Sequence, residues 1–328
     1  MKGRKDIPGF DLAKILMAIL IVAAHTQFLI EWPSARKILS FIGAAGVPMF
    51  FAISAYLFVS KLDNTTEIGG GKQILFHSLK RLAILFAIWY VLMLPMTYER
   101  FFTKATMKET LYAILFTCTF NGYWFIKALI FNTIIIYCCR RTRWMIAAFV
   151  VSVIVFVFFS YNYIYHYWNT FTISPYYSFY YHTCMFCIGA LYARFESRIH
   201  LDTLNTIPLL VIWVLLLCLM PFEWDAPIFR FGTVSLLFPV FYQMSLPKVS
   251  SSFWKNIRTS SVIIYMVQFV LIWLYDMSCN RWLQDNTLDA MQHSVVRFAI
   301  ILAASWGVAY AIIRLERRPR LSFLKYLH

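Results

Sequence analysis

Three ionisable residues stand inside the first long apolar run of the chain: Asp11, Lys14 and His25. A charged side chain at the centre of a membrane span costs about 2.5–3.5 kcal/mol on insertion scales, so such residues are functional candidates by default. Lys14 and His25 are eleven residues apart. At about 100° and 1.5 Å per residue they share one helix face, separated by about 16 Å along the axis. Asp11 precedes Lys14 by one turn, within ion-pairing reach. The stripe would place an ammonium suited to holding an anion at one end. At the other it would place an imidazole suited to proton transfer near neutral pH. Each residue also has a plainer use: boundary pairing and snorkelling for Asp11 and Lys14, a hydrogen-bonded structural place for His25. Their alignment on one face, which lipid would not accept, points to a cavity or bundle interior.

Other polar residues in apolar surroundings are less distinctive. Lys127 follows Trp124 by nearly a turn, and either points inward or snorkels outward. His182 sits among Tyr176, Tyr177, Tyr180 and Tyr181, the composition of an interfacial aromatic belt. His77 and His166 fall in expected loops. Cys184-x-x-Cys187 has no second pair, so no metal site is expected among the seven cysteines.

The elements that must carry these residues follow from composition. Of 328 residues, 61% are hydrophobic and 14% charged, and the mean hydropathy is +0.65. Soluble domains have about 45–50% apolar and about 25% charged residues, so a soluble globule is excluded. Disordered, collagenous and disulfide-scaffold classes fail as well. Ten apolar runs are long enough to cross a bilayer core of about 30 Å: Phe10–Ile30, Phe41–Ser60, Leu79–Thr97, Gly122–Cys139, Trp144–Tyr161, Pro175–Ala193, Thr206–Phe222, Phe229–Ser245, Ser260–Tyr275 and Ser294–Ile313. Continuous apolarity without a period of two favours helices over an outer-membrane barrel. The expected fold is an all-α integral membrane bundle of about ten helices, one domain over residues 1–328 with no appended soluble domain. Phe101–Phe120 reads as an outer amphipathic helix or a re-entrant piece.

Ten spans put both termini on one side. If that side is the cytoplasm, the inner segments hold twenty of the thirty Lys and Arg residues and the outer segments eight. The bias places both termini in the cytoplasm. It also accounts for the formal charge of +15, because the basic residues sit as short clusters at span ends, where they orient the chain and meet anionic lipid. Nucleic acid is therefore not an expected partner. The basic start and apolar core of the first 27 residues imitate a signal peptide, but the run continues to Ile30 without a convincing cleavage site, so it reads as a retained span.

Six segments in order carry a resemblance. They are Asp11-Leu-Ala-Lys14 with His25 beyond ten further residues, Gly46-Val-Pro-Met-Phe-Phe-Ala-Ile-Ser54-Ala55-Tyr56, and Ser78-Leu-Lys80-Arg81-Leu. Gly122-Tyr-Trp124-Phe-Ile, Phe186-Cys-Ile-Gly189-Ala-Leu-Tyr-Ala-Arg194 and Ser260-Ser261-Val-Ile-Ile-Tyr265-Met-Val-Gln268 follow. Together they resemble the membrane acyltransferase-3 family, whose first span carries Arg or Lys, ten residues, then His. Three positions depart from the family pattern: Ala55 replaces the usual Gly, Arg81 keeps part of a doubled basic motif, and Gln268 stands where many members have His.

The resemblance implies a multi-pass enzyme of the bacterial inner membrane. It would move an acyl group, most often acetyl, from cytoplasmic acyl-CoA to a hydroxyl of a sugar, glycan or lipid-linked saccharide, without a metal. On the chemistry of the residues, His25, Lys14 and Asp11 are the expected catalytic set. Lys14, Lys80 and Arg81 would hold the donor phosphates, and Trp124, Lys127, Tyr265 and Gln268 would line the acceptor passage. His25 acts either as a base or as an acylated intermediate. Two rival readings are a transporter or flippase, for which no inverted repeat is evident, and a degenerate member acting as a membrane partner.

Overall fold

The computed structural model describes residues 7–65, 69–102, 106–107, 124–165, 178–199, 203–219, 226–246, 250–282 and 293–328. Among them there are helices and no strands. The helices are α1 (Pro8–His25), α2 (Pro33–Gly43), α3 (Gly46–Asp63), α4 (Gly70–Phe102), α5 (Trp124–Cys138) and α6 (Thr142–Tyr165). They continue with α7 (Thr183–Phe195), α8 (Thr203–Leu219), α9 (Ala226–Gln243), α10 (Ser251–Trp282) and α11 (Ser294–Glu316). Six of the described helices are long and apolar enough to cross a membrane: α1, α3, α4, α6, α10 and α11. The chain is thus a multi-pass membrane protein. Helix also lies over each of the other four expected spans, where α5 and α8 are shorter apolar helices.

Several boundaries move. The first span ends at His25 rather than Ile30, and the second starts at Gly46 rather than Phe41. Between them Pro33 opens a separate helix, α2, at the position where its fixed φ and missing N–H cost nothing. The third span begins at Gly70 rather than Leu79, so Lys80 and Arg81 lie well inside a helix rather than at its entry. At 33 residues and 1.5 Å each, α4 is about 50 Å long. That exceeds the bilayer core of about 30 Å. The ninth span begins at Ser251, which brings Arg258 inside a helix. The Phe101–Phe120 question lies largely outside the described residues.

The chain divides into two compact units. In the first, residues 50–200, α6 packs along α7, α4 along α5, and α5 on α7. Gly189 lets α7 meet α3 at backbone distance, since a Cβ there would lie 1.8 Å from the carbonyl oxygen of Ala52. Small residues of this kind are what draw membrane helices together. Polar bonds tie the elements: the Thr183 hydroxyl donates to Asn132 Oδ1 (2.7 Å) and Arg194 pairs with Asp63 (3.0 Å).

In the second unit, residues 6–49 and 201–328, α1 is central and touches α2, α9, α10 and α11. Gly9 plays the part of Gly189 here, with a virtual Cβ 1.9 Å from the carbonyl oxygen of Phe241 on α9. The polar contacts show that α10 runs parallel to α1. Asp11 lies opposite Arg258, and fourteen residues on, His25 lies opposite Phe269.

Candidate active site

The face of α1 anticipated from spacing meets a matching face of α10. Arg258, Ser261, Tyr265, Gln268 and Phe269 recur at helical intervals of three and four. At the N-terminal end of α1, the buried Asp11 carboxylate accepts two hydrogen bonds from Arg258, from Nε to Oδ1 and from Nη2 to Oδ2, both 2.7 Å. This bidentate geometry is the strong form of an ion pair. Lys14, one turn on, is half-buried. Asp11 therefore joins α1 to α10, a role the local spacing to Lys14 did not suggest.

His25 is the last residue of α1 and is exposed, with one ring edge against Phe269 at 4.7 Å between centroids. Tyr265, buried, packs its ring 6.4 Å from Phe269. Gln268 is fully buried; its Nε2 donates to the Tyr265 carbonyl at 2.9 Å. Its Oε1 has no hydrogen-bond partner among the described residues. A buried acceptor left unmade is costly, so this amide oxygen is a place where a donor would be welcome.

The helix stops at His25 for a local reason. The Thr26 amide and hydroxyl both donate back to Val22 O at 2.9 Å, the Gln27 amide to Ala24 O at 3.3 Å and the Phe28 amide to Ala23 O at 2.9 Å. These bonds form a Schellman cap, whose turning residue is normally glycine. Here it is Gln27 with φ 58°, and Leu29 follows at φ 62°. A left-handed conformation costs an L-residue roughly 1–2 kcal/mol, and two such residues directly after a candidate catalytic side chain mark a segment held in place by its surroundings.

The holding contacts are on α11. The Glu31 carboxylate accepts from the Ser294 amide at 3.0 Å and, by a short bond, from the Ser294 hydroxyl. Phe28 packs on Phe298 with ring centroids 4.4 Å apart. The Ser294 bonds, led by that from its hydroxyl, hold the Glu31 carboxyl below the usual carboxylate range. Farther along α11, buried Arg297 places Nη2 2.7 Å from both carboxylate oxygens of Asp276 on α10.

The remaining sequence-derived candidates belong to the first unit. Lys80 and Arg81 are exposed on α4, Lys127 is half-buried on α5, and Trp124 is buried at the start of α5. Trp124 lies 4.8 Å from His182 between ring centroids (29° between planes), Phe51 lies 5.2 Å from it (13°), and the Phe51 and Trp124 rings are themselves 6.1 Å apart. His182 is fully buried in a cluster of rings made by Phe51, Trp124 and Tyr181. No group of three or more potential metal ligands occurs among the described residues.

A family model described as an acyltransferase domain matches residues 7–314. The chain belongs to the acyltransferase-3 family. The match covers α1 through most of α11 and so contains both units. No curated protein and no solved structure matches the chain. As a family member it is a membrane acyltransferase.

Proposed function

We propose that this acyltransferase moves an acyl group, most often acetyl, from cytoplasmic acyl-CoA to a hydroxyl of a sugar or exported glycan, as a ten-span protein of a bacterial inner membrane with cytoplasmic termini. The observation that carries the reading is His25, an exposed imidazole at the end of a helix that bears Lys14 on the same face. Two further features support it. The parallel course of α1 and α10 is what first and ninth spans require. Asp276 and Arg297, which pair, are both counted on the outer side by the charge distribution, and Asp11, near the cytoplasmic end of the first span, pairs with the inner-side Arg258.

In this mechanism His25 takes the proton of the acceptor hydroxyl as its oxygen attacks the thioester carbonyl. The C–S bond breaks, an oxygen ester forms, and the imidazolium returns the proton to the departing CoA thiolate. Lys14 meets donor phosphate near the start of α1. Asp11, held by Arg258, fixes the height of α1 against α10. Gln268 Oε1 accepts from the incoming alcohol, and Tyr265 beside it contributes to acceptor binding.

Membrane vesicles containing the protein, given acetyl-CoA labelled in the acetyl group, are expected to transfer label to a base-labile ester on glycan, and His25→Ala to transfer none. Labelled glycan from the His25→Ala variant at the wild-type rate would sink the assignment. Lys14→Ala is expected to raise the half-saturating acetyl-CoA concentration by about tenfold, the loss of one charge-assisted contact, with the saturated rate changed less. An unaltered half-saturation would remove Lys14 from the donor site.

A further inference from the structure

We propose that Glu31 is a positioning residue for His25, acting as a clamp between the turn that ends α1 and the first turn of α11. The proposal rests on His25 being the reacting imidazole. It is carried by a closed circuit of contacts within one unit. From His25 the chain passes through the Schellman cap and the left-handed Gln27 and Leu29 to Glu31. Glu31 binds the amide and hydroxyl of Ser294, the first residue of α11. Along α11, Arg297 grips Asp276 of α10. Two turns back on α10, Phe269 touches the His25 ring.

Each link has a physical reason. His293, at the N-cap of α11, makes no side-chain capping bond, so the amide of buried Ser294, which has no acceptor within the helix, needs one from elsewhere. A carboxylate suits that place, because helix N-termini carry partial positive charge. Glu31 is thus a cap supplied across 263 residues of sequence. What it gives the other partner is a fixed turn. Gln27 and Leu29 lack the freedom of glycine and relax unless the end of their segment is anchored. Phe28 on Phe298 is a second, apolar anchor. Release of the turn would let the last turn of α1 fray and the imidazole swing away from the ring of Phe269. Displacement of a catalytic group by about 1 Å can cost about a hundredfold in rate.

The test uses Glu31→Ala and Ser294→Ala in the full chain, in lipid nanodiscs, with two readouts. Hydrogen exchange at the Gln27 and Phe28 amides should accelerate about tenfold in both variants, while amides in the middle of α10 keep wild-type protection, which separates local release from unfolding. The rate of acetyl transfer at saturating acetyl-CoA should fall about tenfold to a hundredfold, with half-saturation unmoved. Adding Gln27→Gly to Glu31→Ala, which removes the strain at the turning residue, should recover part of that rate. Wild-type exchange at Gln27 and Phe28 in both variants overturns the clamp. Faster exchange with an unaltered rate overturns the positioning role. A fully active His25→Ala overturns the reading of the site instead, with the exchange result unaffected, so the two failures are told apart.

Discussion

The two units hold their histidines in opposite ways. Around α1 the polar groups are paired across helices: Asp11 with Arg258, Asp276 with Arg297, Glu31 with Ser294. The pairs stand at the two ends of the α1 stripe and leave His25 exposed between backbone turn and aromatic edge. Around α5 and α7 the imidazole of His182 is instead buried against the adjoining rings of Phe51 and Trp124, with Tyr181 edge-on at 5.1 Å. One histidine is held by its neighbours and kept open; the other is packed. Access, not membership of an apolar segment, distinguishes a side chain available for chemistry from one that fills a core.

The sharpest way to break this contrast is to truncate both. His25→Ala should lower the transfer rate by about 10²–10⁴, the usual worth of a general base, with little change in thermal stability because the side chain is exposed. His182→Ala should do the reverse: lose about 2–5 kcal/mol of stability by opening a cavity among rings, while the folded fraction keeps its activity. Paired activity and unfolding measurements check it, and a stable, inactive His182→Ala would erase the distinction.

Next in size is the pair at the start of the α1 stripe. Arg258→Met leaves the Asp11 carboxylate buried without its partner, which should cost about 3–5 kcal/mol. The double variant Asp11→Asn with Arg258→Met should recover most of it. If the double variant is as unstable as the single one, Arg258 contributes through packing and the charge pairing is incidental.

Smaller effects are expected where the units are alike. Gly9 and Gly189 each sit where a Cβ would strike a neighbouring helix backbone. Alanine at either should cost about 1–3 kcal/mol through forced separation of helices. Only Gly9→Ala, which displaces α1, should also lower the transfer rate of the protein that remains folded. Equal rates in both variants would show that the position of α1 is not critical.

What the chain reveals before folding follows the range of each interaction. The Asp11–Lys14–His25 stripe needs only the helical period, and the six ordered motifs need only local identity, so both are legible. Arg258 is not, because a cation beside Lys255 and Ser260 looks like a loop end until α10 is seen to begin at Ser251. The stacking of His182 depends on Phe51, and the Glu31–Ser294 bond joins residues with no mutual signal in the sequence. Span ends moved for the same reason. Thr26 turns α1 back on itself through hydrogen bonds that hydropathy does not register.

The smallest expected effect concerns the clamp alone and depends on pH. The Glu31 carboxyl is held below its ordinary value of 4.5 mainly by the hydrogen bond from the Ser294 hydroxyl. A carboxylate of lowered pKa binds fewer protons folded than unfolded at mildly acid pH. Its stabilising contribution is therefore complete above the unfolded value and disappears as pH falls through the folded one. Glu31→Gln has no such titration. The difference in unfolding temperature between wild type and Glu31→Gln should stay constant from about pH 7 to about pH 5 and close at lower pH. A gap between wild type and Glu31→Gln that persists unchanged into strong acid would mean that Glu31 holds the turn without its charge.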